Sequence, residues 1–564
     1  MAYLPKLIGS PRMFWKFDVP YDYSLPLTSG DELSTHLLSH NPKIAQEFCL
    51  RMPLCGTYMN RHDNVSEADP PFIFFPSLSG SLPPCSYMHL GYSAQPNLMV
   101  QRRIPPEIWQ EIFLHCLPDL QKIKYYNTSD LVPCPPSTHD APLLLLLVCR
   151  TWRYWALRTP RLWARLSVEV SWGKSYPSVS QTHAWLQRSQ SAPLTFSFRQ
   201  NGDWTEDHIT TSIFLQQFLQ HMHRWQHVSL HLNGTLAVST LAKHNETVPR
   251  ELRSMYLSLV APSEVLAMKD EFASALNHFT SAPNFSSLVI GGVNVFQCLE
   301  DHRRIQWERL TEIKLDDVNY IDTCLALFSM CKNLVSCTMG VLHTGYPPAS
   351  EPLVPPPGTI TLPNLTSLTL NVNNEDLCRL FPKLHVPELQ ELAIYSYSQT
   401  WPQAAFSSWL ERSKCALTRV ELRDTRMRQE QFLQCLRLAS FATVTELVMN
   451  EEGWMPEDWS GLISRAAIAE LTVSEDKGEC LLPKLQSLDL SGRCVEEDSG
   501  AAVIKMIASR CHAGANGVVR LRKISWSMVA EYDYLEAADL AILKALENHG
   551  LEADVCTGET SCWC

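Results

Sequence analysis

From Trp225 onward the chain keeps returning to one short pattern, apolar-x-x-apolar-x-apolar. The clearest copies are Leu365-x-x-Leu368-x-Leu370, Leu389-x-x-Leu392-x-Ile394, Leu417-x-x-Val420-x-Leu422 and Leu485-x-x-Leu488-x-Leu490. Others begin at Leu310, Leu334 and Val444, and weaker ones at Trp225, Leu252, Phe285 and Leu521. The last two apolar positions of each copy alternate as in a strand. The segments between copies carry helical spacing, as in Phe406, Trp409 and Leu410 or Phe432, Leu433 and Leu436. Strand then helix, repeated, predicts a solenoid with a curved parallel sheet on its concave side. In Leu365-Thr366-Ser367-Leu368-Thr369-Leu370, the leucines at 368 and 370 point into the core, so Ser367 and Thr369 point to the concave face. One or two copies arise by chance in a leucine-rich chain; eleven at quasi-regular spacing do not.

The spacing, about 24 to 41 residues, overlaps the roughly 20 to 29 of leucine-rich repeats once insertions are allowed. A polar ladder residue follows the pattern only at Asn233 and Asn373. Residues 351 to 358, with four prolines, read as a loop inserted into one repeat. A helical stretch from Tyr532 to Leu546, stopped by Gly550, is expected to close the C-terminal end of the array.

Ahead of the repeats lies a different pattern. Ile104-Pro105-Pro106-Glu107-Ile108 opens a helix with proline at its start and an acid in its first turn. Ile108, Ile112, Phe113, Cys116 and Leu117 then recur at the helical period, predicting one buried face. A proline-bearing loop follows, and Asp140-Ala141-Pro142 offers the cap of a second helix, Leu143 to about Trp155. Its first turns, Leu143 to Val148, are apolar all round and predict burial on several sides. Thr159-Pro160-Arg161-Leu162-Trp163 ends the unit. Three short helical pieces make a core too small to be very stable alone, so a partner or the next domain is expected to cover part of it.

These three ordered segments, Ile104 to Phe113, Val148-Cys149-Arg150-x-Trp152 and Thr159 to Trp163, resemble an F-box, in the form common in mushroom-forming fungi. The resemblance covers about residues 103 to 165. It departs from the compact F-box in one respect, a much longer loop between the first two helices. It implies a small all-helical domain whose motif residues are Pro105, Pro106, Ile108, Ile112, Phe113, Leu117, Val148, Cys149, Trp152 and Trp163. Those left uncovered by the repeats would contact a Skp-family adaptor. The expected fold class is therefore α/β, a small all-helical F-box followed by an irregular leucine-rich-repeat solenoid. The expected domains are an extension over 1–100, an F-box-like unit over 101–168 and the array over 169–564.

Residues 1 to 100 hold 12 of the 37 prolines together with 13 aromatics, and no periodicity persists there; a loosely structured extension is expected. Hydrophobic residues make up 45% and charged residues 19%, a globular composition. The formal charge of −12 has the wrong sign for wrapping nucleic acid or coating anionic lipid. By segment it is −2 over 1–100, +3 over 101–170 and −13 beyond, so an acidic array slightly favours a basic partner surface. The 19 cysteines form no C-x-x-C pair, which removes the usual zinc and disulfide spacings and fits free thiols in a reducing compartment. Sequons such as those at Asn127 and Asn364 mean nothing without secretion. The first residues carry no export signal and the longest apolar run is far below a membrane span, so a cytoplasmic or nuclear protein is expected.

No phosphate loop, nucleophile elbow or H-E-x-x-H motif occurs, and His221 and His223 near a predicted strand lack further ligands. The ending Cys562-Trp563-Cys564 resembles a prenylation signal of small GTPases, which this chain is not. No enzyme, cofactor or metal is expected. The resemblance implies a substrate-recognition subunit of an SCF-type ubiquitin ligase, reaching a cullin through the adaptor and holding an unknown target protein on the repeats. A leucine-rich scaffold without a ligase role, its helical unit a mere cap, is the alternative; a hydrolase or transferase with unrecognised residues is a third.

Overall fold

The structure, a computed structural model, describes residues 105–556 except 126–127, 202–204, 234, 245–246, 261–268, 292–304, 316–317, 319, 342–356, 397–399, 452–460, 474–479, 493, 497, 513–516 and 528–534. Pro96–Cys564 forms one compact unit. The extension over 1–100, most of the proline-rich insert and the Cys562-Trp563-Cys564 ending lie outside the described residues.

Three short helices come first: α1 (Pro106–His115), α2 (Leu143–Val148) and α3 (Arg150–Leu157). The loop between α1 and α2 forms an antiparallel hairpin, β1 (Gln121–Tyr125) with β2 (Thr128–Val132). The unit is therefore not all-helical. Leu131-Val132-Pro133 and its flanking prolines read as loop, and the hairpin's alternation was too short to register as strand.

The rest is one fifteen-stranded sheet in a mixed α/β architecture. Its strands are β3 (Arg165–Ser171), β4 (Lys174–Tyr176), β5 (Leu194–Gln200), β6 (Trp225–Asn233), β7 (Ser254–Val260), β8 (Ser287–Gly291), β9 (Glu312–Leu315) and β10 (Ser336–Gly340). They continue with β12 (Ser367–Asn371), β14 (Glu391–Tyr395), β15 (Arg419–Arg423), β16 (Glu446–Glu451), β17 (Ser487–Gly492), β18 (Lys523–Ser527) and β19 (Glu552–Cys556). β11 (Ile360–Thr361) and β13 (Leu384–His385) make a separate parallel pair. Apart from the antiparallel β3–β4 edge, every pairing in the large sheet is parallel and follows chain order.

Each of the eleven apolar copies becomes a strand, and ten of them open it two residues after their first apolar position. The registers line up so that Ile313, Cys337, Leu368, Leu392, Val420, Leu447, Leu488 and Ile524 form one row across the sheet. All are at most 2% exposed. Burying a side chain of this size contributes roughly 2 kcal/mol, so such rows are the main source of the array's stability. In that row Cys337 acts as a small hydrophobe, its thiol pKa pushed up by burial.

The connections carry helices: α4 (Val179–Arg188), α5 (Thr205–Leu219), α6 (Thr235–Ala242), α7 (Lys269–Thr280), α8 (Ile321–Met330), α9 (Asn374–Leu380), α10 (Gln403–Ser413), α11 (Gln429–Leu436), α12 (Arg465–Leu471), α13 (Gly500–Cys511) and α14 (Ala537–Asn548). Neighbouring helices touch in chain order from α4 to α7, α8 to α11 and α12 to α14, making a second layer over the apolar face of the sheet. Alternate strand residues, such as half-buried Ser367 and Thr369, point to the opposite, open face. The helix expected over Tyr532–Leu546 runs over Ala537–Asn548 among the described residues, and it is not the last element: β19 follows and forms the sheet edge. Strands β5 and β19 escaped the pattern because Pro193 and Gly550 stand at its first apolar position, whereas Trp163, Leu166 and Val168 fill it for β3.

Few residues form the expected polar ladder. Asn373 instead caps α9, its side chain accepting from Asp376 N at 2.8 Å. Arginines join successive units in its place, Arg224 and Arg510 from buried positions and Arg412 from an exposed one. Arg224 donates to Leu186 O, Ala192 O and Ser189 Oγ at 2.8–3.0 Å. Arg412 donates to Phe381 O and Leu384 O, and Arg510 to Leu471 O, Leu481 O and Leu482 O. In each case a planar fork gathers carbonyls left open where the preceding helix ends.

Candidate functional site

The helical unit is built around a small aromatic core. Pro105 caps α1 and Pro106 occupies its first turn, where a missing N–H leaves no bond unmade. One turn later Trp109 and Phe113 are fully buried and meet Trp152 of α3, with ring centroids 5.7, 6.0 and 5.2 Å apart. Trp109, an i, i+4 partner of Phe113, is the member that the apolar period did not mark. Ile112 and Leu117 are half-buried, whereas Ile108 is 50% exposed and Cys116 is exposed. The predicted face is thus rotated: the core takes Trp109 and Phe113, and Ile108 is left outside, because bulky rings fill the narrow space that α3 leaves.

The single helix expected from Leu143 to Trp155 is two helices. Cys149 has an extended backbone (φ −160, ψ 170), and its Sγ caps α3 by accepting from Trp152 N at 3.4 Å. α2 is not buried on several sides. Leu145 is buried, but Leu147 is 61% and Val148 38% exposed, and Tyr154 on α3 is 45% exposed beneath the Arg158 guanidinium. Six apolar residues in a row cannot all find a core in a unit with so few elements.

Trp163 closes the unit and opens the array. It is fully buried, donates from Nε1 to Ala156 O at 2.9 Å and meets Trp185 of α4 edge-on at 4.8 Å. Trp225 repeats the device at the start of β6, donating to Phe218 O seven residues earlier. Of the ten motif residues, then, the structure brings Phe113 and Trp163 into the interior, packs half-buried Trp152 against Phe113, and leaves Ile108, Val148 and Cys149 exposed. Pro105 and Pro106 set the helix start, with Ile112 and Leu117 at the margin.

The open face of the sheet carries the polar chemistry. On β15, Glu421 is held between Arg419 (2.9 Å) and Arg423 (2.7 Å) and accepts from Tyr395 Oη at 2.8 Å; Arg419 also pairs with Glu446. Burial works to raise the Glu421 pKa, yet these donors hold it below the usual carboxylate value, while burial and Glu421 push Tyr395 up to about 12. At the last position of β16, fully buried Glu451 accepts from Thr425 N at 3.0 Å and Thr425 Oγ1 at 2.8 Å. Burial first, and Asp424 as a like charge, raise its pKa to about 7. Among the described residues no His, Cys, Asp and Glu side chains gather as a metal site, and no helix is long and apolar enough to cross a membrane.

No family model matches the chain, and no curated protein matches it. Solved structures do. A protein from Bacteroides fragilis aligns at 11% identity and a TM-score of 0.26 over 59% of this chain and 75% of its own. A chain of the Rad7 and Elc1 complex in yeast aligns at 14% identity and a TM-score of 0.28 over 50% of this chain and 75% of its own. At these scores neither likeness carries an argument about function.

Proposed function

We propose that this chain is a non-catalytic substrate-recognition subunit of an SCF-type ubiquitin ligase, its F-box-like unit docking a Skp-family adaptor and its leucine-rich-repeat-like array holding a target. The observation that carries the reading is the exposure of Ile108, Leu147 and Val148 on a unit whose Trp109, Phe113 and Trp152 rings pack together. Ile108 and Val148 belong to the motif that resembles an F-box of the form common in mushroom-forming fungi. Apolar side chains left in water beside a closed core suit a protein partner. Catalysis would belong to an enzyme elsewhere in the complex, and this chain would raise the effective concentration of the target near it.

The experiment is capture of a purified Skp-family adaptor by the full chain, compared with an Ile108→Asp/Leu147→Gln variant. Loss of saturable binding in a variant of unchanged thermal midpoint is expected, and equal capture by both proteins would refute the assignment. Substituting Phe113 would be a poor choice, because a charge there strikes the aromatic core and confuses unfolding with lost docking. A second reading has its own observation: Trp163 serves both regions, as a cap fused to a leucine-rich scaffold would require. That reading predicts no adaptor binding at all.

A further inference from the structure

The hairpin between α1 and α2 does more than lengthen a loop. Its second strand lies beside β5, and the hairpin's base, Leu120 and Pro133, walls a cavity of about 540 Å³ whose floor is the open face of β5 to β9. A helical unit and a repeat array thus share one concavity. Five adjacent strands span about 19 Å at the usual spacing, the length of roughly six residues of extended chain.

The floor has a definite chemistry. Thr195, Ser229, Ser254 and Ser287 contribute hydroxyls. His227 Nδ1 lies 2.7 Å from Ser254 Oγ, and burial together with Arg253 lowers its pKa, which leaves the ring neutral at pH 7. Glu312 is already engaged, accepting from Ser287 Oγ at 2.8 Å and pairing with Lys314 at 3.0 Å. Arg253, by contrast, has no carboxylate partner among the described residues. Among the described residues that line it, two cations face one committed carboxylate, so they give the cavity local positive charge inside an array whose sequence sums to −13. The sign of the whole array, which favoured a basic partner, is reversed here.

We propose that this cavity binds an extended acidic segment of a target protein, with a side-chain oxyanion paired to Arg253 and the hairpin as its wall. The inference rests on the recognition-subunit reading and names what that reading leaves open. A carboxylate and a phosphorylated side chain offer the same oxyanion to a guanidinium and a ring of hydroxyls.

Fluorescence anisotropy on the full chain tests it, with labelled heptapeptides Ala-X-Ala-X-Ala-X-Ala in which X is Glu, phosphoserine, Gln or Lys. Glu or phosphoserine peptides should bind at least tenfold tighter than Gln, and Lys peptides not measurably. Comparing the first two separates carboxylate from phosphate as the group selected. Arg253→Gln should abolish the preference at an unchanged thermal midpoint, whereas Arg253→Lys keeps part of it. Equal binding of all four peptides, binding of none, or a preference that survives Arg253→Gln would overturn the proposal. Adaptor capture by the same preparations reads the other claim separately: peptides bound without adaptor would leave the cavity standing and remove the ligase role, and the reverse outcome would remove the cavity alone.

Discussion

The helical unit and the strand–helix array both set apolar residues at regular spacing, one at the helical period and the other in strand alternation, and end in opposite states. Across the array, Leu368, Val420, Leu488 and Ile524 are buried by neighbours that repeat their own geometry on either side. In the helical unit Ile108 and Leu147 sit at equally apolar positions and remain half or more exposed. Apolar spacing says that a residue wants a neighbour; only the number of packed layers decides whether the chain supplies one. A parallel array supplies it at every step but its ends. A unit of three short helices runs out of partners, and its surplus becomes a surface.

The residue where the two regions meet should show the largest effect. Trp163→Ala removes a buried ring that bonds to α3 and packs on α4. It should cost about 4 kcal/mol in equilibrium denaturation and shift helical unit and array together. If only the helical signal moved, the two regions would fold independently and the shared-keystone picture would fail.

Within the array alone, Arg510→Met is expected to cost about 3 kcal/mol, because it strips donors from buried carbonyls of Leu471 and Leu482. The helical unit should keep its near-ultraviolet tryptophan signal through that change. A loss below about 1 kcal/mol would mean that the joined carbonyls find water or other donors unaided.

A smaller effect comes with pH. The Glu451 carboxyl has a folded pKa of about 7, above its unfolded value of about 4.3. It favours the folded state most below the unfolded pKa, and this contribution fades as pH rises through 7. Between pH 5 and 8 the array should therefore lose on the order of 2 kcal/mol through this group, and Glu451→Gln should flatten that slope. Parallel slopes in the two proteins would assign the pH dependence to other groups.

Much of this contrast was legible in the sequence, but unequally. The eleven copies located their strands to within two residues because a parallel array imposes one register on every unit, so each leucine reports on the whole. Arg224, Arg412 and Arg510 were invisible, since an arginine that gathers carbonyls looks like any surface charge until the preceding helix end is in place. The hairpin that walls the cavity was equally hidden behind prolines. In the helical unit, which of the apolar residues are buried was not legible. Burial there depends on how the rings of Trp109, Phe113 and Trp152 divide one small space, and periodicity cannot rank side chains competing for it. The chemistry of Arg253 needed the sheet register and the hairpin together, neither of which spacing supplies.

The smallest expected change in stability belongs to the substitution that matters most for the contrast. Ile108 lies in the first turn of α1, where an acid is favoured by the helix dipole, so Ile108→Asp exchanges exposed apolar surface for a favourable charge. Leu147 is 61% exposed, and glutamine there keeps helix propensity without leaving a cavity. The double variant should differ from the parent by less than about 0.5 kcal/mol, as ordinary surface positions do. A comparable pair in the array, such as Leu368→Asp/Leu392→Gln, would unfold it. If thermal melts instead show Ile108→Asp/Leu147→Gln losing several degrees, then these side chains are already covered within the chain, and the helical unit is a cap like any other end of the array. If the melts superimpose, the unit carries apolar surface that its own stability does not use, and that surface is free for a partner.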